Sequence, residues 1–214
     1  MKSFLVIGLG RFGTAVALEL SMLHHDVVAI EEDEARAEIA AEKLTHVVIG
    51  DAKDEAVLKS VGVRNFDGVI VATTNIEDSV MITLLAKEMG ANYVVCKVLS
   101  DSHAKVLSRI GADRVVFPER DMGARVAQIV SSGNVLDFIE LSDEFAIVEM
   151  PTPGKWVGKS LLQLGVRAAY GVNVLAIRHN GEITINIEPK YRFHADDIVV
   201  VLGSDKSIRR LEAL

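Results

Sequence analysis

The chain has 214 residues, half of them apolar, with a formal net charge of −7 and one cysteine. A single cysteine excludes a disulfide scaffold, and the acidic balance argues against a nucleic-acid surface. No apolar run approaches the roughly 18 residues of a membrane helix, because charges interrupt every strand-like stretch. Met1-Lys2 leads straight into a strand pattern without a secretory leader, so a cytosolic protein of one large or two small domains is expected.

Residues 3–8 read as a buried strand running into Gly8-Leu9-Gly10-Arg11-Phe12-Gly13, and 12–24 as a helix with Val16, Leu20 and Leu23 at helical spacing. Strand, Gly-x-Gly-x-x-Gly turn and helix start, in that order, are the context of a dinucleotide fingerprint. Gly8 permits the tight turn, Gly10 lets the backbone approach a pyrophosphate, and Gly13 lets the helix pack on the strand. The helix's free N–H groups and positive dipole end then face the phosphates. A second strand, 26–30, ends in Glu31, about 20 residues on, where a carboxylate accepts ribose hydroxyls. An adenine nucleotide is therefore expected. Asp33 suits the N-cap of a helix over 34–44, and a helix N-terminus accounts for the neighbouring acids.

A third strand, 46–49, leads to Asp51 and Ala52, candidates for the adenine edge; Asp51 as cap of a short helix over 54–60 is an equal alternative. Strand four, 68–72, ends in Thr73, Thr74 and Asn75, at the carboxyl edge where open α/β sheets bind ligands. A helix over 77–89 stops at Gly90. Strand five, 93–98, holds Cys96, read as a buried thiol, and Lys97, a cation expected to reach the ligand or an acidic partner. A helix over 101–110 and strand six, 114–117, complete six strands alternating with helices, the pattern of a doubly wound parallel sheet.

A further helix, 119–132, carries an apolar stripe (Met122, Val126, Ile129, Val130) that the finished sheet does not need. It is expected to cover a second subunit, the next domain, or both. The first domain is placed at 1–134 with this helix included, and a small α+β domain at 135–214. There, strands are expected over 145–150, 173–178, 182–187 and 197–202, with a hairpin at Asn180-Gly181. A helix over 158–165 and a closing helix over 206–214 complete it. The glycine–lysine pairs near 154–160 miss the phosphate-loop frame. The six histidines show no metal spacing, and His179 and His194 stand in no recognisable constellation. With a strong nucleotide motif and no catalytic grouping, a sensor is expected rather than an enzyme. Beside the phosphates, Arg11 suits a further terminal phosphate, as in ATP; a surface ion pair is the alternative. Glu119 and Asp121 suit a hard cation such as Mg²⁺ if two subunits bring such carboxylates together.

The stretches Val6-Ile-Gly-Leu-Gly-Arg-Phe-Gly13, Val28-Ala-Ile-Glu31, Ile110-Gly-Ala-Asp113-Arg114 and Pro118-Glu-Arg-Asp-Met-Gly123 together resemble RCK proteins, regulators of potassium conductance. They are most like the cytosolic gating subunit of Ktr-type bacterial potassium uptake systems. The tail, with Leu164-Gly-Val-Arg167 and Val174-Leu-Ala-Ile-Arg-His-Asn-Gly181, resembles that family's C-terminal domain. The resemblance implies a Rossmann-type domain that dimerises and assembles into an octameric ring beneath an integral membrane potassium-translocating subunit, at the inner face of the membrane. It implies competition of ATP, which activates, with ADP, which inactivates. Gly8, Gly10 and Gly13 then lie at the phosphates, with Arg11 at the terminal phosphate, Glu31 at the ribose and Phe12 among the cofactor-binding residues of the turn. Asp51 and Ala52 lie at the adenine, Thr73, Thr74 and Lys97 line the site, and Glu119 holds a cation between subunits. Many members have Asp where Glu31 stands, which leaves ATP, ADP and NAD(H) open. Some members bind cyclic di-AMP in the C-terminal domain, and Arg167, Val174 and Ala176 fall in matching stretches. A Trk-type NAD(H) sensor and, less favoured, a small NAD(P)-dependent oxidoreductase are the alternatives. A nucleotide-sensing transcription regulator lacks a helix-turn-helix pattern.

Overall fold

A computed structural model of the chain describes residues 1–132 and 134–214; Gly133, within the expected break, lies outside the described residues. Two compact units form, Met1–Pro118 and Glu119–Leu214.

The first unit alternates β1 (Ser3–Ile7), α1 (Arg11–Met22), β2 (Asp26–Glu31), α2 (Glu34–Ala41), β3 (His46–Ile49), α3 (Glu55–Val61), β4 (Gly68–Val71), α4 (Ile76–Glu88), β5 (Val94–Lys97), α5 (Asp101–Arg109) and β6 (Arg114–Val116). All strand pairs are parallel and the order is β3-β2-β1-β4-β5-β6. The expected doubly wound sheet is present. Its strands are apolar on both faces because helices cover both. Leu5, Ile7, Val69 and Val71 join a core with Leu58, Ile82 and Leu107 on one face; Val6, Ala29 and Ile70 pack with Ala17 and Ala40 on the other. Cys96 is buried, which pushes its thiol up to about 11, so it remains a neutral core residue.

Helix ends follow local chemistry. Asp33 caps α2, its carboxylate accepting the Arg36 N–H at 2.8 Å. Asp54, not Asp51, caps α3, accepting the Ala56 N–H at 2.8 Å. The first helix stops two residues short of the expected end, where His24 turns to a φ of +61°.

The second unit begins within α6 (Pro118–Ser131) and continues with β7 (Asp137–Ser142), β8 (Phe145–Pro151), α7 (Leu161–Leu164), α8 (Val166–Tyr170), β9 (Val172–His179), β10 (Glu182–Thr184), β11 (Ile198–Ser204) and α9 (Asp205–Glu212). These strands form an antiparallel sheet ordered β10-β9-β11-β8-β7. Trp156, Phe193, Met150, Ile177 and Leu211 are fully buried against it. The hairpin at Asn180-Gly181 is present, both residues at positive φ (+50° and +86°). Its second strand ends at Thr184 rather than 187, because β10 is an edge with exposed Ile183 and Ile185 and no further ladder to hold it. Strand β7 was not expected: Asp137 and Glu140 break an apolar pattern in a strand that is exposed over most of its length. The expected helix over 158–165 is reduced to Leu161–Leu164, closed by Gly165 at a φ of +52°, and a further short helix, Val166–Tyr170, follows that was not expected.

The compact units divide at the first residue of α6, so that nearly all of this helix belongs to the second unit. Arg125 on α6 clamps Asp137 on β7, donating from Nε at 2.9 Å and from Nη2 at 2.6 Å. Met122, Val126 and Val130 of the same helix remain exposed. Among the described residues no helix is long and apolar enough to cross a membrane.

Two predictions follow from this packing. A Cβ on Gly13 would lie 1.9 Å from the Gly8 carbonyl oxygen, whereas one on Gly10 meets nothing within 4 Å. Gly13→Ala should therefore destabilise the fold by at least about 1–3 kcal/mol, and Gly10→Ala should leave the thermal midpoint close to that of the parent in the same melt. The Arg125 guanidinium holds the Asp137 carboxyl below its ordinary range. A carboxyl depressed in the folded state adds stability above its unfolded pKa and loses it as pH falls through the folded value. The melting temperature should thus drop on acidification below roughly pH 4, and Arg125→Gln should flatten that part of the profile in melts stepped through pH.

Candidate functional site

The connection after β1 runs to β2 on one side while β4 pairs on the other, so the strand order reverses at the carboxyl ends of β1 and β4. A crevice at such a switch point is where open α/β sheets hold ligands. Here it is a cleft of about 240 Å³ whose lining includes Gly8, Gly10, Glu31, Asp51, Ala52, Thr73 and Thr74. Seven of the residues singled out from the sequence thus converge, from four strand ends. Arg11, Phe12, Gly13 and Lys97 are not among its lining residues. Gly13 packs under the turn instead, and Lys97 is buried at the end of β5.

The glycine turn has a strict geometry. Gly8 takes a φ of +91°, and a Cβ there would press on the Thr73 backbone nitrogen at 3.2 Å. Only glycine combines that dihedral with that approach. Gly10 begins α1 with no side-chain cap, and no acid occupies the first turn, so the helix's positive end is left for a ligand or solvent. Arg11, the first residue of α1, is exposed.

Glu31 is the most constrained charge in the cleft. Its side chain is 4 % exposed. Oε2 accepts the Leu9 N–H at 2.6 Å; Oε1 accepts the Asp33 N–H at 3.1 Å and Arg36 Nη2 at 2.9 Å. One carboxylate therefore joins the glycine turn, the β2–α2 loop and the first turn of α2. Arg36 also lines the cleft. Sequence reading missed it, although an arginine within the first turn or so of a helix that starts just past a strand-end acid is the available signal.

On the opposite wall Asn75 caps α4, accepting the Glu77 N–H at 2.9 Å and the Asp78 N–H at 3.3 Å. Lys53 bridges Asp78 at 2.8 Å and Asp51 at 3.6 Å, and its hydrogen bond to Asp78 raises its pKa. Asp51 and Asp78 line the cleft, so the wall is an acid–lysine–acid arrangement that offers hydrogen-bond acceptors to a base edge.

In the second unit Arg167 and Val174 line an open groove of about 650 Å³ together with Leu162, Asn173 and Pro189. Arg167 Nε donates to Asn173 Oδ1 at 2.7 Å. Ala176 is buried in β9 and is not among the groove's lining residues. Glu119 lies exposed in the first turn of α6. The reading of His179 and His194 as unconnected is overturned: His179 Nδ1 meets Asp197 Oδ1 at 2.6 Å, and the two imidazole rings lie 5.0 Å apart. β9 and β11 are neighbours, and their register brings residues 18 apart in the chain together.

Fold and cleft define a Rossmann-type α/β protein with an antiparallel α+β unit attached. Models of two families match the chain, the TrkA-N domain over residues 4–118 and the TrkA-C domain over residues 145–214. It is 45% identical to Ktr system potassium uptake protein C of Bacillus subtilis over 99% of this chain and 96% of that one. It is 44% identical to Ktr system potassium uptake protein A of the same organism, with the same coverage. A structure described as the GsuK channel bound to NAD shares the fold over the whole chain, with a TM-score of 0.68 at 21% identity; this chain spans 39% of its length. The chain belongs to the TrkA-N/TrkA-C (RCK) family that includes the Ktr potassium uptake proteins.

Glu31→Gln retains the shape but sets an amide N–H₂ among three donors. It should cost about 1–3 kcal/mol in chemical denaturation, the scale of leaving buried partners unpaired. Arg36→Gln, at a side chain 53% exposed, should cost less than about 1 kcal/mol in the same assay.

Proposed function

We propose that this chain is a nucleotide-sensing regulatory subunit of a Ktr-type potassium uptake system, acting on an integral membrane potassium-translocating subunit rather than catalysing a reaction. The observation that carries the reading is the switch-point cleft with an uncapped helix N-terminus on one side and Glu31 on the other, in a chain matched along its length to Ktr proteins. A pyrophosphate suits the Gly8–Gly13 turn, where amides and helix dipole favour negative charge. Ribose hydroxyls suit Glu31, and adenine suits the wall of Asp51 and Ala52 beside Thr73 and Thr74. Lys97, buried at the end of β5, is the remaining residue assigned to the site in this reading.

Arg11 is the discriminating residue of this proposal. Its guanidinium stands at the first residue of α1, outside the cleft lining, where it meets a terminal phosphate of a nucleotide held in its own subunit or a neighbour's. ATP offers that phosphate and ADP does not. A ligand shifts an equilibrium only by its differential affinity for the two states, and contacts of this kind supply on the order of 1–3 kcal/mol per site. ATP then favours the active form and ADP the inactive one. The exposed Met122, Val126 and Val130 stripe of α6 suits a dimer contact, and dimers closing into an octameric ring beneath the membrane partner would couple the sites. Glu119 is the proposed ligand of an inter-subunit Mg²⁺. The groove of Arg167 and Val174 is the proposed seat of cyclic di-AMP, with Ala176 behind it in β9. The NAD-bound description of a fold relative makes an NAD(H) sensor the second reading; the strand-end acid serves the adenosine ribose of either ligand.

Calorimetric titration of nucleotide-free protein with ATP, ADP and NADH, repeated on Arg11→Ala, separates the two. ATP and ADP should both bind, and Arg11→Ala should weaken ATP about 10-fold or more relative to ADP, the scale of one charge-assisted hydrogen bond. NADH binding far tighter than ATP, with the difference untouched by Arg11→Ala, would reverse the ranking.

A further inference from the structure

One charged cluster of the second unit plays no part in the nucleotide reading. Asp197, the residue just before β11, is 1% exposed. A carboxylate so deeply buried is costly unless hydrogen-bonded, and this one accepts three donors. Tyr191 O–H and the His194 backbone N–H reach Oδ2, each at 2.8 Å, and His179 Nδ1 reaches Oδ1 at 2.6 Å. Burial and the Asp197 carboxylate push the Tyr191 hydroxyl up to about 12, so it stays a donor. Tyr191 and the His194 amide are explained by anchoring the loop before β11. The two imidazoles and a second acid are not. Asp196 Oδ2 lies 3.9 Å from His179 Nδ1, and the His194 ring lies 5.0 Å from the His179 ring. Arg178, next along β9, does not neutralise the cluster, because it pairs with Glu149.

We propose that His179, Asp196 and Asp197 form a binding site for a divalent transition cation of the zinc class. His179 Nδ1 and one oxygen from each aspartate all lie within 4.8 Å of one another. An imidazole with carboxylates suits zinc and its neighbours in the series, whereas magnesium and calcium favour all-oxygen sets. The cation takes the place of the direct His179 Nδ1–Asp197 Oδ1 contact. Ligands about 2.0–2.2 Å from zinc in a tetrahedron lie about 3.3–3.5 Å apart. The His179–Asp197 contact therefore opens from 2.6 Å while Asp196 closes from 3.9 Å, each by less than about 1 Å. His179 and Asp196 are 40% and 64% exposed, which leaves a path for the ion and for a water as fourth ligand.

The test is calorimetric titration of EDTA-treated full-length protein with zinc chloride near neutral pH, with cobalt chloride absorption as a second readout. The expected result is one saturable zinc site per chain and a cobalt spectrum of a nitrogen-containing low-coordinate site. His179→Gln should abolish it, and Asp196→Asn should weaken zinc about 10-fold or more. Asp196 is solvent-facing, so its variant decides the matter even if His179→Gln fails to fold. No saturable binding up to millimolar zinc, or parental affinity in a folded Asp196→Asn protein, overturns the proposal.

Discussion

A carboxylate withdrawn from water at the end of β2 governs the arrangement around the cleft. Desolvating such a group costs several kcal/mol unless donors replace its water. Glu31 is supplied by the Leu9 amide, the Asp33 amide and Arg36. These donors come from three separate segments, so satisfying one charge fixes the glycine turn against the β2–α2 loop and orients the first turn of α2. The turn must in turn be glycine at two places for different reasons. Gly8 needs its positive φ beside Thr73, and Gly13 needs the absence of a Cβ so that α1 can lie on the Gly8 carbonyl.

The same carboxylate has limited capacity left. Three protein donors already occupy its two oxygens, and Arg36 is the one of them on a flexible, half-exposed side chain. A ribose that approaches Glu31 with two hydroxyls competes with Arg36 rather than with a backbone amide. In the proposed reading, ligand entry and the position of Arg36 would be linked by acceptor counting. Across the cleft, Lys53 offsets the charges of Asp51 and Asp78 and holds the β3 and α4 ends in register without filling the cleft itself.

The second unit solves a different problem. Its sheet is antiparallel, with Trp156, Phe193 and Met150 on its buried side and β10 as an exposed edge. Its polar anchor is Asp197, which plays the part there that Glu31 plays in the first unit: one buried carboxylate gathers donors from β9 and from the loop leading into β11. Both units thus place an acid at a strand end and let backbone amides set the surrounding loops.

Much of this was legible in the sequence for a local reason. Runs such as Phe4-Leu-Val-Ile7 and Gly68-Val-Ile-Val71 are apolar at every position, which only a strand covered on both faces tolerates, and glycine spacing marks the turn between strand and helix. The six strands alternating with helices, the acid at β2 and the convergence of Gly8, Gly10, Glu31, Asp51, Ala52, Thr73 and Thr74 follow from such patterns because each strand end is one short turn from its helix, whereas the strand order came from the structure. What tertiary structure alone decided is which side chains meet, at short separations in the chain as well as long ones. Arg36 on Glu31, Asp54 rather than Asp51 as a cap, the weakly patterned β7 held by Arg125, and the meeting of His179 with Asp197 leave no periodic trace, because spacing along a chain records local conformation while pairing across a sheet is set by which buried charge needs a donor.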